Sequence, residues 1–293
     1  MHKFLRAAGF SEYKKKREIE ALLASLVKQY PIEKKIWVES DSNLCEIKAR
    51  ISKDVGISIF GEEDGDGTFH LEYYYPYLLS DIVTSQAYCS IQRHTEKETH
   101  AGLLDEYRVG ISLIFYLTNE MEYLELRKSK KSVPDVKQAC LSALSLSGKI
   151  LFPVKKTQRQ IEMAKVSAKE RSSQIEAAKN GDEDAIEKLT LEDIDLYSRV
   201  SRRVMREDLY SIVDSYFMPC GIECDQYSVM GEIQSVELQT NSVTQEEIYI
   251  MTVEASDITF RVGINRADLI GQPEVGRRFK GKVWMQGIVK FES

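Results

Sequence analysis

The segment RHTEKETH, residues 93–100, holds the residue types that acid–base chemistry uses: His94 and Glu98, with Arg93, Glu96 and His100 beside them. An imidazole near a carboxylate can take up and return a proton close to neutral pH, and an arginine can turn toward an anionic ligand. Arg93, His94 and Glu98 are therefore the candidate ligand-binding residues. Charges spaced in this way also occupy ordinary loops, and no nucleophile motif, glycine-rich phosphate loop or metal-ligand spacing accompanies them. No catalytic residue is assigned.

A second grouping lies near the carboxy terminus, in GQPEVGRRFKGKVWMQG, residues 271–287. Arg277, Arg278, Lys280 and Lys282 could follow a phosphate backbone while Trp284 stacks on a base, as small barrels do with single strands. The competing reading makes the stretch the closing strand of a barrel, with its cations as isolated surface charges. Phosphate-driven binding needs several uncompensated cations, yet residues 227–293 carry seven Lys and Arg against nine Asp and Glu. Barrel closure is preferred, with nucleic-acid binding as the alternative.

Three further patterns lead to structural readings. GEEDGDGTFHLEY places Tyr73 where a calcium loop needs its bidentate Glu, so it reads as a polar hairpin turn with positive φ at Gly65 and Gly67. Cys220 and Cys224 are one residue too far apart for a redox CxxC and have no second pair for zinc. Neither a metal nor a cofactor is expected. Tyr73, Tyr74, Tyr75 and Tyr77 could offer exposed rings to a partner, although core and hairpin packing would use at least half of them.

The elements that position these residues follow from periodicity. Ile19, Leu22, Leu23, Leu26 and Val27 have the spacing of one apolar helix face, with Ser11 as a possible cap. Residues 36–94 then alternate as short strands; in CEIKARI, Cys45, Ile47, Ala49 and Ile51 share one face and the charges take a wet one. RVGISLIFYL reads as a central strand, NEMEYLELRK as a helix, and LSALSLSGKILFPV as a strand pair turned at Ser147-Gly148. From Lys155 to about Phe217 the pattern becomes helical, with a left-handed stop at Asn180-Gly181 and a capping-box spacing at Thr190 and Asp193. Beyond Pro219, four or so strands suit a small Greek-key barrel of the OB type that lacks a fifth strand.

Composition narrows the class. The 293 residues are 43% hydrophobic and 29% charged with a net charge of −6, a globular balance without the basic excess of a general polyanion binder. Five scattered cysteines argue against a disulfide framework and for a reducing cytoplasm. The first twenty residues contain no apolar run suited to a signal peptide, and Val109–Leu117 is about half of a membrane span.

In SLSGKILFPVKK, AAKNGDEDAIEKLTLEDIDLYSRVSRR, SIVDSYFMPCGIECDQYSVMGEI and GQPEVGRRFKGKVWMQG, the chain resembles a family of uncharacterised proteins from Gram-positive anaerobes, domain-of-unknown-function family 3881. The likeness runs from MHKFLRAAGF to the last strand. It implies no activity, cofactor or catalytic residue.

The expectation is an α+β protein in three parts: an α+β domain over 1–154, a helical connector over 155–218, and a small OB-like barrel over 219–293. The preferred function is a cytoplasmic, non-enzymatic binding or adaptor protein acting through protein contacts, without a membrane. The alternatives are single-stranded nucleic-acid binding by the barrel and an enzyme centred on His94 and Glu98.

Overall fold

A computed structural model describes residues 2–37, 43–93, 99–130, 134–154, 166–167, 170–171, 173–178, 180–204 and 209–292. The protein is α+β. Its helices are α1 (Lys16–Gln29), α2 (Glu120–Lys130), α3 (Glu183–Val204) and the single turn α4 (Leu209–Ile212). None of the described helices is long and apolar enough to cross a membrane.

Helix α1 buries Ile19, Leu22, Leu23 and Leu26, the face that the spacing predicts. It starts at Lys16 because Glu18 folds back to accept the backbone N–H groups of Lys14 and Lys15, satisfying donors that a helix start leaves open. Ser11 does not cap it. Its N–H and hydroxyl instead donate to Glu246, 235 positions away.

Strands β1 (Lys34–Trp37), β2 (Asn43–Arg50), β3 (Val55–Glu63) and β4 (Phe69–Leu78) form an antiparallel sheet in chain order. The turn before β4 is held by Asp64, whose carboxylate accepts the N–H groups of Asp66 and Thr68. Gly67 has φ of +79°, whereas Gly65 is not among the positive-φ residues. Cys45, Ile47, Ala49 and Ile51 are buried on one face as expected, but the opposite face is not wet throughout: Glu46 is 1% exposed.

The second sheet contains β5 (Cys89–Arg93), β6 (His100–Glu106), β7 (Ile111–Leu117), β8 (Val136–Leu151), β9 (Tyr216–Pro219), β10 (Gln226–Thr240), β11 (Glu247–Ala255), β12 (Ile258–Asn265), β13 (Leu269–Ile270) and β14 (Arg278–Phe291). Five of these strands close on themselves. Strand β10 pairs with β11 and β14, β11 pairs with β12, β12 lies parallel to β8, and β8 pairs antiparallel with β14. Val229, Ile233, Met251, Val253, Phe260, Val262, Phe279 and Met285 belong to one buried cluster with Leu141 and Ala143 of β8. The strand that four carboxy-terminal strands lacked therefore comes from before the helical connector, so residue 154 falls between strands of one ring.

Strand β8 is one continuous strand of 16 residues, not a hairpin turned at Ser147-Gly148. Opposite β14, the register passes from Ser147 to Ser145 and leaves Leu146 as a bulge. Gly148 is required for close approach: a Cβ there would stand 2.5 Å from the Phe279 ring. The β11–β12 hairpin turns on Ser256 and Asp257, both at positive φ, as a two-residue turn of this hand demands.

The four-stranded sheet is bound to the ring through side chains. Gln286 of β14 donates to Pro76 O and accepts from the Leu78 N–H, and Arg261 donates to Asp54 at 2.8 Å; the amino-terminal turn is tied on separately, through the two-pronged pair of Arg6 with Asp268. Asn241 donates to the carbonyls of Ala8 and Gly9, which anchors the amino-terminal turn on the β10–β11 loop.

Candidate functional site

Arg277, Arg278 and Lys280, three of the four cations of GRRFKGKVWMQG, converge on the two places where the helical connector leaves and rejoins the sheet. Arg278, the first residue of β14, is 6% exposed and is not an isolated surface charge. Its guanidinium donates to Phe152 O at 3.0 Å, before the connector, and to Tyr210 O at 2.7 Å and Val213 O at 2.8 Å, after it. One planar donor group thus ties two chain segments some sixty positions apart. Arg277 lies over the Phe152 ring at 5.7 Å and pairs with Glu274 at 2.9 Å. Lys280 lies 4.2 Å from the Tyr210 ring centre and donates to its hydroxyl, a bond that raises the lysine pKa. We call this arrangement the clasp, and the connector between its two ends the arm.

The two remaining members of that stretch behave differently. Lys282 is exposed. Trp284 is 4% exposed: it stacks on Phe4 with centroids 5.1 Å apart and donates its indole N–H to Asp225 at 2.6 Å. An indole must have a free face to stack on a base; here Phe4, His2 and Tyr116 surround the ring.

His94 and Glu98 lie outside the described residues. Arg93 ends β5 and is exposed, opposite His100 of β6 in the strand register. His100 forms a partnership that no local pattern announces: its Nδ1 is 2.5 Å from Glu120 Oε1, on the first turn of α2, with the two side chains 2% and 0% exposed. Tyr73 donates to the other oxygen of Glu120 at 3.3 Å. Burial pushes the Glu120 carboxyl upward, against the opposing pull of the His100 contact. Burial likewise raises Glu46, although Lys48 and Ser58 draw it back, and raises the phenols of Tyr73, Tyr75 and Tyr116.

These groups form a buried polar layer between the four-stranded sheet and the β6–β7–α2 unit. Tyr75 and Tyr77 are not partner-facing rings; they are 1% and 2% exposed, and Tyr75 meets Tyr116 edge to face at 4.6 Å. His100 Nε2 and the Tyr75 hydroxyl find no hydrogen-bond partner among the described residues. The carboxylate–imidazole pair of this layer is sealed from solvent. The available signals were indirect: Glu46 adjoins the buried run of CEIKARI, and Glu120 stands at a helix start directly after an apolar strand.

Helix α3 presents the opposite case, apolar residues in solvent. Its start is set by Asp182, whose carboxylate accepts the Ala185 N–H at 3.1 Å, not by Thr190. Thr190 lies within the helix and donates its hydroxyl to Ile186 O. Ala185 is buried, and Arg171 of the preceding helical segment pairs with Asp193 at 2.7 Å. Ile186, Leu191, Ile194 and Tyr197 of the same helix are 48%, 60%, 59% and 76% exposed.

The cysteines are free thiols. Cys45, Cys89 and Cys140 are buried, which raises all three, Cys89 to about 12; Cys220 is exposed. Among the described residues, no three His, Cys, Asp or Glu side chains gather as a metal set.

The described residues define an α+β protein of two sheets with a clasped helical arm. The chain belongs to the family described as "Domain of unknown function, E. rectale Gene description (DUF3881)", whose model matches residues 5–287. No curated protein and no solved structure matches it.

Proposed function

We propose that this chain is a non-enzymatic binding protein of the adaptor kind, acting through protein contacts, in which the sheets form a body and the arm is the contact element. The observation that carries this reading is the exposure of Ile186, Leu191, Ile194 and Tyr197 on α3. Large apolar side chains grouped on one element in solvent mark an interaction surface. The clasp adds to it, since three cations that could have faced a nucleic acid are instead committed to Phe152, Tyr210 and Val213.

We read the closed ring as an OB-type barrel. In the order β10-β11-β12-β8-β14 it has the antiparallel and parallel neighbours of that fold, with β8 in the place of the last strand although it comes first in the chain. The unpaired thiols fit a reducing, cytoplasmic setting.

The test is capture of proteins from nuclease-treated extract of the native organism by the full chain and by an Ile194→Glu, Tyr197→Glu variant, followed by reconstitution of the complex from purified components. A purified complex formed by the unmodified chain and lost in the variant is expected. Salt-sensitive binding of a labelled single-stranded oligonucleotide, reduced by Lys282→Ser, would replace this reading with the nucleic-acid one.

A further inference from the structure

Strands β9 and β10 are joined by the turn CGIEC, residues 220–224, which carries the two cysteines that lie outside the core. Cys220 is exposed and Cys224 half-buried, whereas Cys45, Cys89 and Cys140 are buried. Hydrogen bonds at the mouth of this turn bring the two together. Tyr227 pairs with Pro219, so the next pair toward the turn is Cys220 with Gln226. The Cys220 N–H donates to Gln226 O at 2.9 Å, but the Gln226 N–H donates to Cys224 Sγ at 3.3 Å. In a regular antiparallel pair that second bond goes to the carbonyl directly opposite, here Cys220 O. Cys224 Sγ therefore takes the acceptor place of Cys220 O, next to the Cys220 backbone.

The backbone of the turn leaves little distance to cover. A Cβ built on Gly221 would lie 3.8 Å from Cys224 Cβ, the separation found in bridged cysteines. Cys220 is offset from that arrangement by one residue, and the offset falls on a glycine, whose backbone has the widest conformational freedom. The spacing that rules out a CxxC centre does not rule out a bond across a hairpin turn, where the two sulfurs approach from the mouth of the loop. A disulfide closing so short and exposed a loop is of the labile kind, made and broken by exchange, and not a structural staple.

From this placement we infer that Cys220 and Cys224 form a reversible dithiol–disulfide site whose co-reactant is a small-molecule disulfide. Cys220, the more exposed of the two, attacks as thiolate one sulfur of the small disulfide; that S–S bond breaks and one small thiol leaves. The Cys224 thiolate then attacks the Cys220 sulfur of the mixed disulfide and expels the second small thiol. The small disulfide is reduced by two electrons to two thiols, and the chain is oxidised by the same two. The two cysteine protons reach the departing sulfurs through solvent. An excess of small thiol runs both steps backward. Cys45, Cys89 and Cys140 take no part, because burial keeps the reagent from them. The site does not depend on the role proposed for the arm.

Equilibration of the full chain with mixtures of reduced and oxidised glutathione, without oxygen, tests this site; each sample is quenched by alkylation and mapped by mass spectrometry. In the reduced native chain Cys220 and Cys224 should alkylate, and Cys45, Cys89 and Cys140 only after denaturation. As oxidised glutathione rises, the Cys220 and Cys224 thiols should be lost together, in a single peptide that has lost two hydrogens and resists alkylation. Reduced glutathione in excess should recover both. Cys224→Ser should stop at a glutathione adduct on Cys220, and Cys220→Ser should likewise form no internal bond. Both positions lie in a surface turn, and circular dichroism checks that each variant folds; if one does not, the peptide map of the unmodified chain decides the matter. Glutathione adducts that accumulate on the unmodified chain without the internal bond, a bond that joins two chains instead, or thiols that stay free at every ratio would each overturn the site.

Discussion

Arg278 shows how a residue type can be read correctly as special and wrongly as to its use. Its density with Arg277, Lys280 and Trp284 is visible in the sequence, but its carbonyl partners at Phe152, Tyr210 and Val213 are distant in the chain and carry no sequence mark. Losing this side chain leaves three carbonyls without their donor. Arg278→Ser is therefore expected to lower unfolding stability by roughly 1–3 kcal/mol, whereas Lys282→Ser, at an exposed position, should change it by less than about 0.5 kcal/mol. Urea titration of the two variants measures the contrast, and equal effects would remove the clasp. Glu46 makes a prediction in pH. Because burial raises its carboxyl in the folded state, the folded chain holds a proton that the unfolded chain has released above about 4.3, so stability falls as pH rises across that window. Glu46→Gln abolishes this titration. The variant should show a shallower decline between mildly acidic and neutral pH and be no less stable at neutrality; a slope identical to that of the unmodified protein would contradict the assignment.

Most single elements were legible, because helix and strand periods are written locally. Helix α1, helix α2 and strands β10, β11, β12 and β14 lie where their spacing places them. The exceptions share one cause, long-range packing that overrides a local cue. Ser147-Gly148 has turn chemistry, yet β8 runs straight through it, since both of its edges are paired along the ring and Gly148 is needed beneath the Phe279 ring. Gly148→Ala places a methyl group against that ring and should lower the thermal midpoint through overpacking of about 1–3 kcal/mol; an unaltered midpoint would mean that the glycine serves only as a local turn residue. Thr190 and Asp193 likewise imitate a helix start, but Asp182 already caps the helix eight positions earlier. The exposed apolar residues of α3 are present in the sequence, but whether such side chains meet a core or solvent is not written locally.

For the whole molecule, the α+β class was readable from composition and pattern, and the missing fifth strand was readable as a deficit. Its source was not, because pairing between β8 and strands more than a hundred residues later has no local signature. The buried layer around His100 and Glu120 was hidden for the same reason, since it forms only when β2, β4, β6 and α2 meet. A ring made from both sides of the arm means that the strands after residue 219 have no complete core without β8. Expression of residues 209–293 alone, and together with residues 1–154 as a separate chain, tests this directly. The carboxy-terminal fragment alone should be unfolded or aggregated, with the edges of β12 and β14 unpaired, and the two fragments together should purify as a one-to-one complex with a cooperative unfolding transition. A fragment 209–293 that folds by itself, unfolds cooperatively and gains nothing from residues 1–154 would contradict the shared ring.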